Sequence, residues 1–253
     1  MRHKVIAVCG KGGVGKTTVS AVAAGILRSS DDLKALIIDA DHAGGLGMAL
    51  GIQPDKSISD IRDRTIDEIK KGKIDKKGIA LSMDYLLMEA AAERESLAFI
   101  WIGRPDHIGC YCSVNQLLRD AVELLAGQFD ITLIDAEAGI EQVNRDVMRK
   151  VDYLLLVSDT SAKGIRVAET IRDVAGNVSR IDKAGLLLNR VSSEKQVEEI
   201  STRTGIEIIG WIPEDETIRR FDEQELSFFE LPDCPARRAI VEALGKKEIL
   251  KRW

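Results

Sequence analysis

The sequence predicts an α/β fold: a mostly parallel, twisted sheet of about seven or eight strands flanked by helices. Three observations point to it. Short apolar runs of strand length alternate with helical stretches almost throughout the 253 residues, the rhythm of parallel sheets built from βαβ units. The runs are apolar at nearly every position, as expected of strands covered on both faces. The first strand–helix junction carries Gly10-x4-Gly15-Lys16-Thr17, the spacing of a phosphate-binding loop in its proper context.

Taken in order, the first strand is Val5–Cys9, and the Gly- and Pro-free stretch from Lys16 to about Leu27 is the helix after it. Further strands are expected at Ala35–Asp39, Ala98–Ile102, Ile131–Asp135, Tyr153–Ser158, Gly185–Asn189 and Glu207–Trp211. Between most of them lie helices, at Val114–Ala126, Gly164–Gly176, Lys195–Thr204 and Ala236–Leu244. Lys56–Lys77 breaks the rhythm: it is dense in Asp, Lys and Arg with isolated Ile, and reads as charged helices rather than core, most simply an excursion over the nucleotide side, with a solvated, partly mobile segment equally allowed. No internal repeat, low-complexity tract or linker is visible, so residues 1–253 are expected to form one domain.

The chemistry concentrates where strands end, which is where such sheets bind ligands. The backbone N–H groups of Gly12, Gly13, Val14, Gly15, Lys16, Thr17 and Thr18 can close around phosphate oxygens at a helix N-terminus. Lys16 would reach the β- and γ-phosphates of a nucleoside triphosphate, and the Thr17 hydroxyl would face Mg²⁺. Asp39-Ala40-Asp41 and Asp135-Ala136-Glu137-Ala138-Gly139 each end a strand. A strand-end Asp beside a phosphate loop can hold Mg²⁺ through water, although such residues also cap turns and helices. Asn189, after the run Gly185–Leu188, offers an amide donor and acceptor to a base edge. Pro213 is a weaker candidate for the base pocket, since Pro213-Glu214-Asp215 also reads as a helix start. Lys11 is surplus, because a phosphate loop needs no lysine at its second position to bind its own nucleotide. By itself it is a solvated surface charge.

Cys110-Tyr111-Cys112 stands immediately before a helix that Ser113 and Gln116, a capping-box pair, are expected to open. A helix N-terminus favours the thiolate, which is the state a metal needs. Two thiolates are half of a tetrahedral S₄ site. Cys9 should be buried in the first strand, Cys234 lies far along the chain, and His107 is a near but lone histidine. A twofold axis near the pair would supply four thiolates from two chains. Two inert cysteines or a redox pair are the alternatives, and Cys-x-Cys leans towards metal because redox pairs usually take the form Cys-x-x-Cys.

The net charge of −5 argues against a general nucleic-acid binder. No apolar run approaches the ~20 residues of a membrane span, and no secretory signal precedes the first strand. Four cysteines without a dense framework point to a reducing cytoplasm.

The string Gly-Lys-Gly-Gly-Val-Gly-Lys-Thr-Thr at residues 10–18 resembles the deviant Walker A family of P-loop ATPases, which includes MinD, ParA, the nitrogenase iron protein and several metal-handling ATPases. The resemblance implies that Lys11 reaches across a dimer interface to the partner's nucleotide, acting with Lys16 and with Asp41 near the attacking water. It implies ATP and ADP as ligands and Mg²⁺ held by Thr17, Asp39 and Asp135. It also implies a second-switch Gly139 at the γ-phosphate and an adenine-reading Asn189. The segment Gly103–Cys112, followed by Asp135–Glu141, is similar to the CooC type of nickel-insertion ATPase, and this resemblance spans nearly the whole chain. It implies an ATP-hydrolysing metallochaperone and homodimer. Ni²⁺ or Zn²⁺ would be shared between Cys110 and Cys112 of two subunits, and the client would be a nickel enzyme, carbon monoxide dehydrogenase or acetyl-CoA synthase. Nucleic acid and stable membrane association are not expected. Two alternatives stand beside it: a spatial organiser of the MinD or ParA kind, supported by the basic and apolar run Leu244–Trp253, and an iron–sulfur carrier or reductase.

Overall fold

Along β1 (Lys4–Cys9) the side chains divide by parity, with Val5, Ala7 and Cys9 packed into one apolar cluster and Ile6 and Val8 into the other. Neighbouring β2 (Ala35–Asp39) repeats the pattern, with Leu36 and Ile38 on the first face and Ala35 and Ile37 on the second. Period-two alternation between two apolar faces is why each strand reads as an unbroken hydrophobic run. The computed structural model describes residues 3–30, 32–72, 86–104, 112–137, 150–178, 180–246 and 249–250.

The remaining strands are β3 (Ala92–Arg94), β4 (Leu97–Trp101), β5 (Ile131–Asp135), β6 (Lys150–Ser158), β7 (Arg180–Val191) and β8 (Ile208–Pro213). Together they form one eight-stranded sheet in the order β3-β4-β2-β5-β1-β6-β7-β8. Every pairing is parallel except β3–β4. The chain returns across β1 between β5 and β6, so the carboxyl end of β1 lies at a topological switch point, where such sheets open a binding crevice.

Helices α1 (Lys16–Arg28), α2 (Gly45–Leu50), α7 (Glu216–Glu223) and α8 (Pro235–Lys246) cover one face, with a 3₁₀ turn at Phe228–Glu230. Helices α3 (Ile58–Lys70), α4 (Cys112–Ala126), α5 (Ala162–Val178) and α6 (Glu194–Ser201) cover the other. Two expectations need correction, and two elements were not expected. Helix α3 is charged as predicted, yet it is core. Ile58, Ile61 and Ile66 are buried against the sheet, and each such side chain contributes roughly 1.5–3 kcal/mol relative to exposure. These three isoleucines share one face at helical spacing, and Arg62 is buried with them, whereas Asp60, Arg64 and Lys70 are exposed. Two elements went unforeseen: the three-residue edge strand β3, too short to show a pattern, and α2, whose sequence Gly-Leu-Gly-Met-Ala-Leu carries two glycines. Finally, α4 begins at Cys112, one residue before the expected start.

The C-terminal run also differs from a surface helix. Ile249 and Leu250 are buried in the α8 side of the core, and Ile249 N–H donates to the Leu244 carbonyl at 3.0 Å. The described apolar residues of this run therefore face inward.

Candidate nucleotide site

Gly15, at the N-terminus of α1, has φ +94°, a left-handed conformation that glycine adopts without strain. A Cβ there would lie 2.3 Å from Asn189 Nδ2. That amide is the reason for the close approach: Asn189, near the end of β7, donates to the Val14 carbonyl at 2.8 Å and accepts from Arg190 N–H at 2.9 Å. The loop is thus clamped between its own helix and β7. Gly12 and Gly13 are exposed, Lys11, Thr17 and Thr18 half-buried, and Val14 buried. Lys16 is almost fully buried, and its ammonium donates to the Lys11 carbonyl at 3.3 Å.

Residues at the ends of β2 and β5 complete the floor. The parallel register places Asp39 directly beside Asp135, both on the α1 side of the sheet by strand parity. Asp135 accepts from Thr17 Oγ1 through one oxygen and from Ser20 Oγ through the other, each at 2.9 Å. Burial pushes its pKa up to about 6, against the hydrogen bonds from Thr17 and Ser20 and the charge of Lys16. Ser20 was not singled out from sequence. Its signal is present nonetheless, since three residues separate it from Thr17, placing both on one face of α1.

Asp39 is fully buried, and its carboxylate accepts from the backbone N–H groups of Asp41, Leu46 and Gly47 at 3.0, 2.9 and 3.1 Å. It therefore anchors the loop after β2 and the N-terminus of α2, the turn-capping role weighed for strand-end aspartates. Its pKa is raised to about 7 by burial first and by the neighbouring Asp135 charge second. Asp41 is half-buried, with its carboxylate accepting from Ala43 N–H at 2.9 Å in a local turn. Next to it, His42 Nδ1 lies 3.4 Å from a Glu137 carboxylate oxygen and so links the loops after β2 and β5.

A cleft of about 600 Å³ opens beside Gly15 and Thr18, bounded by Asn189, Pro213, Glu214 and Arg219. Pro213 sits at the end of β8. Asp215 caps α7 by accepting from Thr217 N–H at 2.8 Å and also accepts from Ala236 N–H at 2.9 Å. The Pro213–Asp215 segment is therefore both a helix start and a wall of the cleft.

Gly139, Cys110 and His107 lie outside the described residues, and Cys112 is described only as the first residue of α4. Cys9 and Cys234 are buried, and burial raises the Cys9 thiol to about 12, keeping it neutral. Among the described residues, no three His, Cys, Asp or Glu side chains are arranged to hold a metal ion. Among them also, no helix is long and apolar enough to cross a membrane.

Residues 5–228 match the CobQ/CobB/MinD/ParA nucleotide binding domain. The chain belongs to this family. Among its relatives, an uncharacterised ATP-binding protein of Methanocaldococcus jannaschii is 30% identical, over 98% of this chain and all of that protein. The carbon monoxide dehydrogenase accessory protein CooC of Rhodospirillum rubrum is 28% identical, over 90% of this chain and 91% of CooC. Among solved structures, MinD of Pyrococcus horikoshii complexed with Mg-ADP superposes with a TM-score of 0.70 at 19% identity, covering 98% of this chain and 97% of that one. That likeness shows the shared fold. The phosphate loop and both strand-end aspartates lie within the matched residues 5–228.

Proposed function

We propose that the chain is a Mg²⁺-dependent ATPase that works as a homodimer and carries Ni²⁺ or Zn²⁺ on Cys110 and Cys112 for delivery to a nickel-containing client, carbon monoxide dehydrogenase or acetyl-CoA synthase. The ATPase half rests on one observation: the Thr17 hydroxyl and Asp135 carboxylate meet at 2.9 Å beside the phosphate loop. Hydroxyl and carboxylate oxygens are the donors Mg²⁺ prefers, so the residues present fit that ion, with Asp39 adjacent. Bound there, Mg²⁺ would neutralise charge on the β- and γ-phosphates.

The side chains divide the remaining work. Lys16, whose ammonium lies at the Lys11 carbonyl beside the loop, reaches the β- and γ-phosphates. The N–H groups from Gly12 to Thr18 cradle the phosphate oxygens, and Gly139 meets the γ-phosphate. Asp41 orients the attacking water. Asn189 and Pro213 take the adenine in the cleft. Lys11 stabilises the partner subunit's γ-phosphate, which makes hydrolysis depend on dimerisation.

The metal half is supported by the likeness to CooC along nine-tenths of the chain together with Cys110-Tyr111-Cys112. A site shared between subunits accords with the pair being only half of a thiolate set. The MinD-like alternative of a membrane-surface helix at the C-terminus is disfavoured by the inward packing of Ile249 and Leu250. Metal analysis of Cys110→Ser and Cys112→Ser tests the reading. Each is expected to lose its metal while still binding ATP, and a variant that keeps its metal excludes the shared-thiolate site.

A further inference from the structure

Trp101 closes β4, in register with Asp39 of β2. Its indole N–H donates to the Asp41 carbonyl at 2.9 Å. The same carbonyl also accepts from Gly44 N–H at 3.1 Å, so the ring joins a turn already closed by its own backbone. The turn is moulded to the indole. Gly44 has φ +70°, and a Cβ there would come within 3.3 Å of the ring. Through Trp101 the loop that carries Asp41 is fastened to the neighbouring strand rather than to the phosphate loop.

The next residues carry the connection onward. Ile102 N–H donates to the Asp39 carbonyl, and the Ile102 carbonyl accepts from Ser59 N–H in the first turn of α3, each at 2.9 Å. One turn along α3, the Arg62 guanidinium, held by Asp63 at 2.7 Å, donates to Asn115 Oδ1 at 2.8 Å. Asn115 lies in the first turn of α4, the helix that Cys112 begins. A cavity of about 100 Å³ lies among His42, Ser59, Arg62, Ile102 and Asn115. Space beside a hydrogen-bonded contact permits a second arrangement without compressing the core.

We propose that Trp101 is a positioning residue that couples the Asp41 loop to the first turn of α4, so that nucleotide state is transmitted to the start of the cysteine-bearing helix through Trp101, Ile102 and α3. This rests on the reading of the chain as an ATPase with functional cysteines and names how its two halves communicate. A γ-phosphate that draws the Asp41 loop inward pulls on the Trp101 bond, and the Ser59 and Arg62 contacts pass that displacement to Asn115. Two discrete loop states, each favoured by a different nucleotide, are what such coupling requires.

The test uses the full chain with Trp101→Phe, which keeps an aromatic ring and removes the N–H donor. A second variant carries a benzothienyl analogue at position 101, isosteric with indole but lacking the N–H, so that loss of packing is controlled. Two quantities are read: steady-state ATP hydrolysis, and the peptide-resolved rate of Cys112 alkylation with ADP against a non-hydrolysable ATP analogue. In the unmodified protein the alkylation rate is expected to differ between nucleotides. In both variants that difference should vanish and kcat should fall about two- to thirtyfold with KM unchanged. Retention of the nucleotide-dependent difference and of kcat in the benzothienyl protein overturns the proposal, as does an unmodified protein whose alkylation ignores nucleotide. Metal content measured on the same samples separates the two readings. Nucleotide-dependent alkylation that requires the indole N–H, in a protein without metal, upholds the coupling and removes the metallochaperone.

Discussion

Ser20→Ala isolates the smallest piece of the nucleotide floor that can be removed without touching the phosphate loop. Ser20 is fully buried, and its hydroxyl donates at 2.9 Å to one oxygen of Asp135, whose other oxygen is served by Thr17. A hydrogen bond to a buried charged group is worth about 1.5–3 kcal/mol, and one between neutral groups nearer 1 kcal/mol. Asp135 titrates near 6 because burial raises it and the Ser20 bond holds it down. A carboxylate whose folded pKa lies above its ordinary 3.8 contributes stability that is present in acid and lost as pH rises through about 6. The Ser20 bond opposes that loss, so deleting it should cost more above pH 6 than below. For a protein of this size about 2 kcal/mol corresponds to roughly 4–8 °C in Tm. Thermal unfolding without nucleotide and with chelator should therefore show Ser20→Ala lowered by about that amount at pH 7.5 and by roughly half as much at pH 5. Equal Tm at pH 7.5, or a larger deficit at pH 5, would mean that the Ser20 hydroxyl does not hold the Asp135 charge.

Two further outcomes are expected. Asp39→Asn should flatten the pH dependence of stability. The native carboxyl, raised to about 7, contributes stability below its ordinary 3.8 that is lost as pH rises through 7, so urea midpoints should fall less between pH 6 and 8 in the variant, and an unchanged slope would exclude Asp39 as the source. Lys11→Ala should retain ATP affinity in isothermal titration while losing ATP-driven dimerisation and hydrolysis; equal turnover would remove the role in trans.

Where pattern was local, the sequence was readable. The sheet and its principal helices followed from apolar runs covered on two faces and from 3.6-residue periodicity, and the phosphate loop followed from glycine spacing before a helix. Helix α3 was legible as a charged helix, but its burial was not, because charge density hid the spacing of Ile58, Ile61 and Ile66. Strand β3 and helix α2 escaped because one is three residues long and the other is held by a tertiary contact, the buried Asp39 carboxylate, rather than by propensity. Ser20 and Trp101 act through partners 115 and 60 residues away, and no local pattern announces such partners. The helix start at Pro213–Asp215 was legible, whereas its part in walling the cleft depends on β7 and α1 coming alongside.

Whether nucleotide and thiolates act together is decided by oligomer mass and metal content measured in one sample, with ADP and with a non-hydrolysable ATP analogue. A linked nucleotide and thiolate site predicts two chains and one divalent metal in the presence of the analogue. Two chains without metal, or metal bound to a single chain regardless of nucleotide, would contradict it.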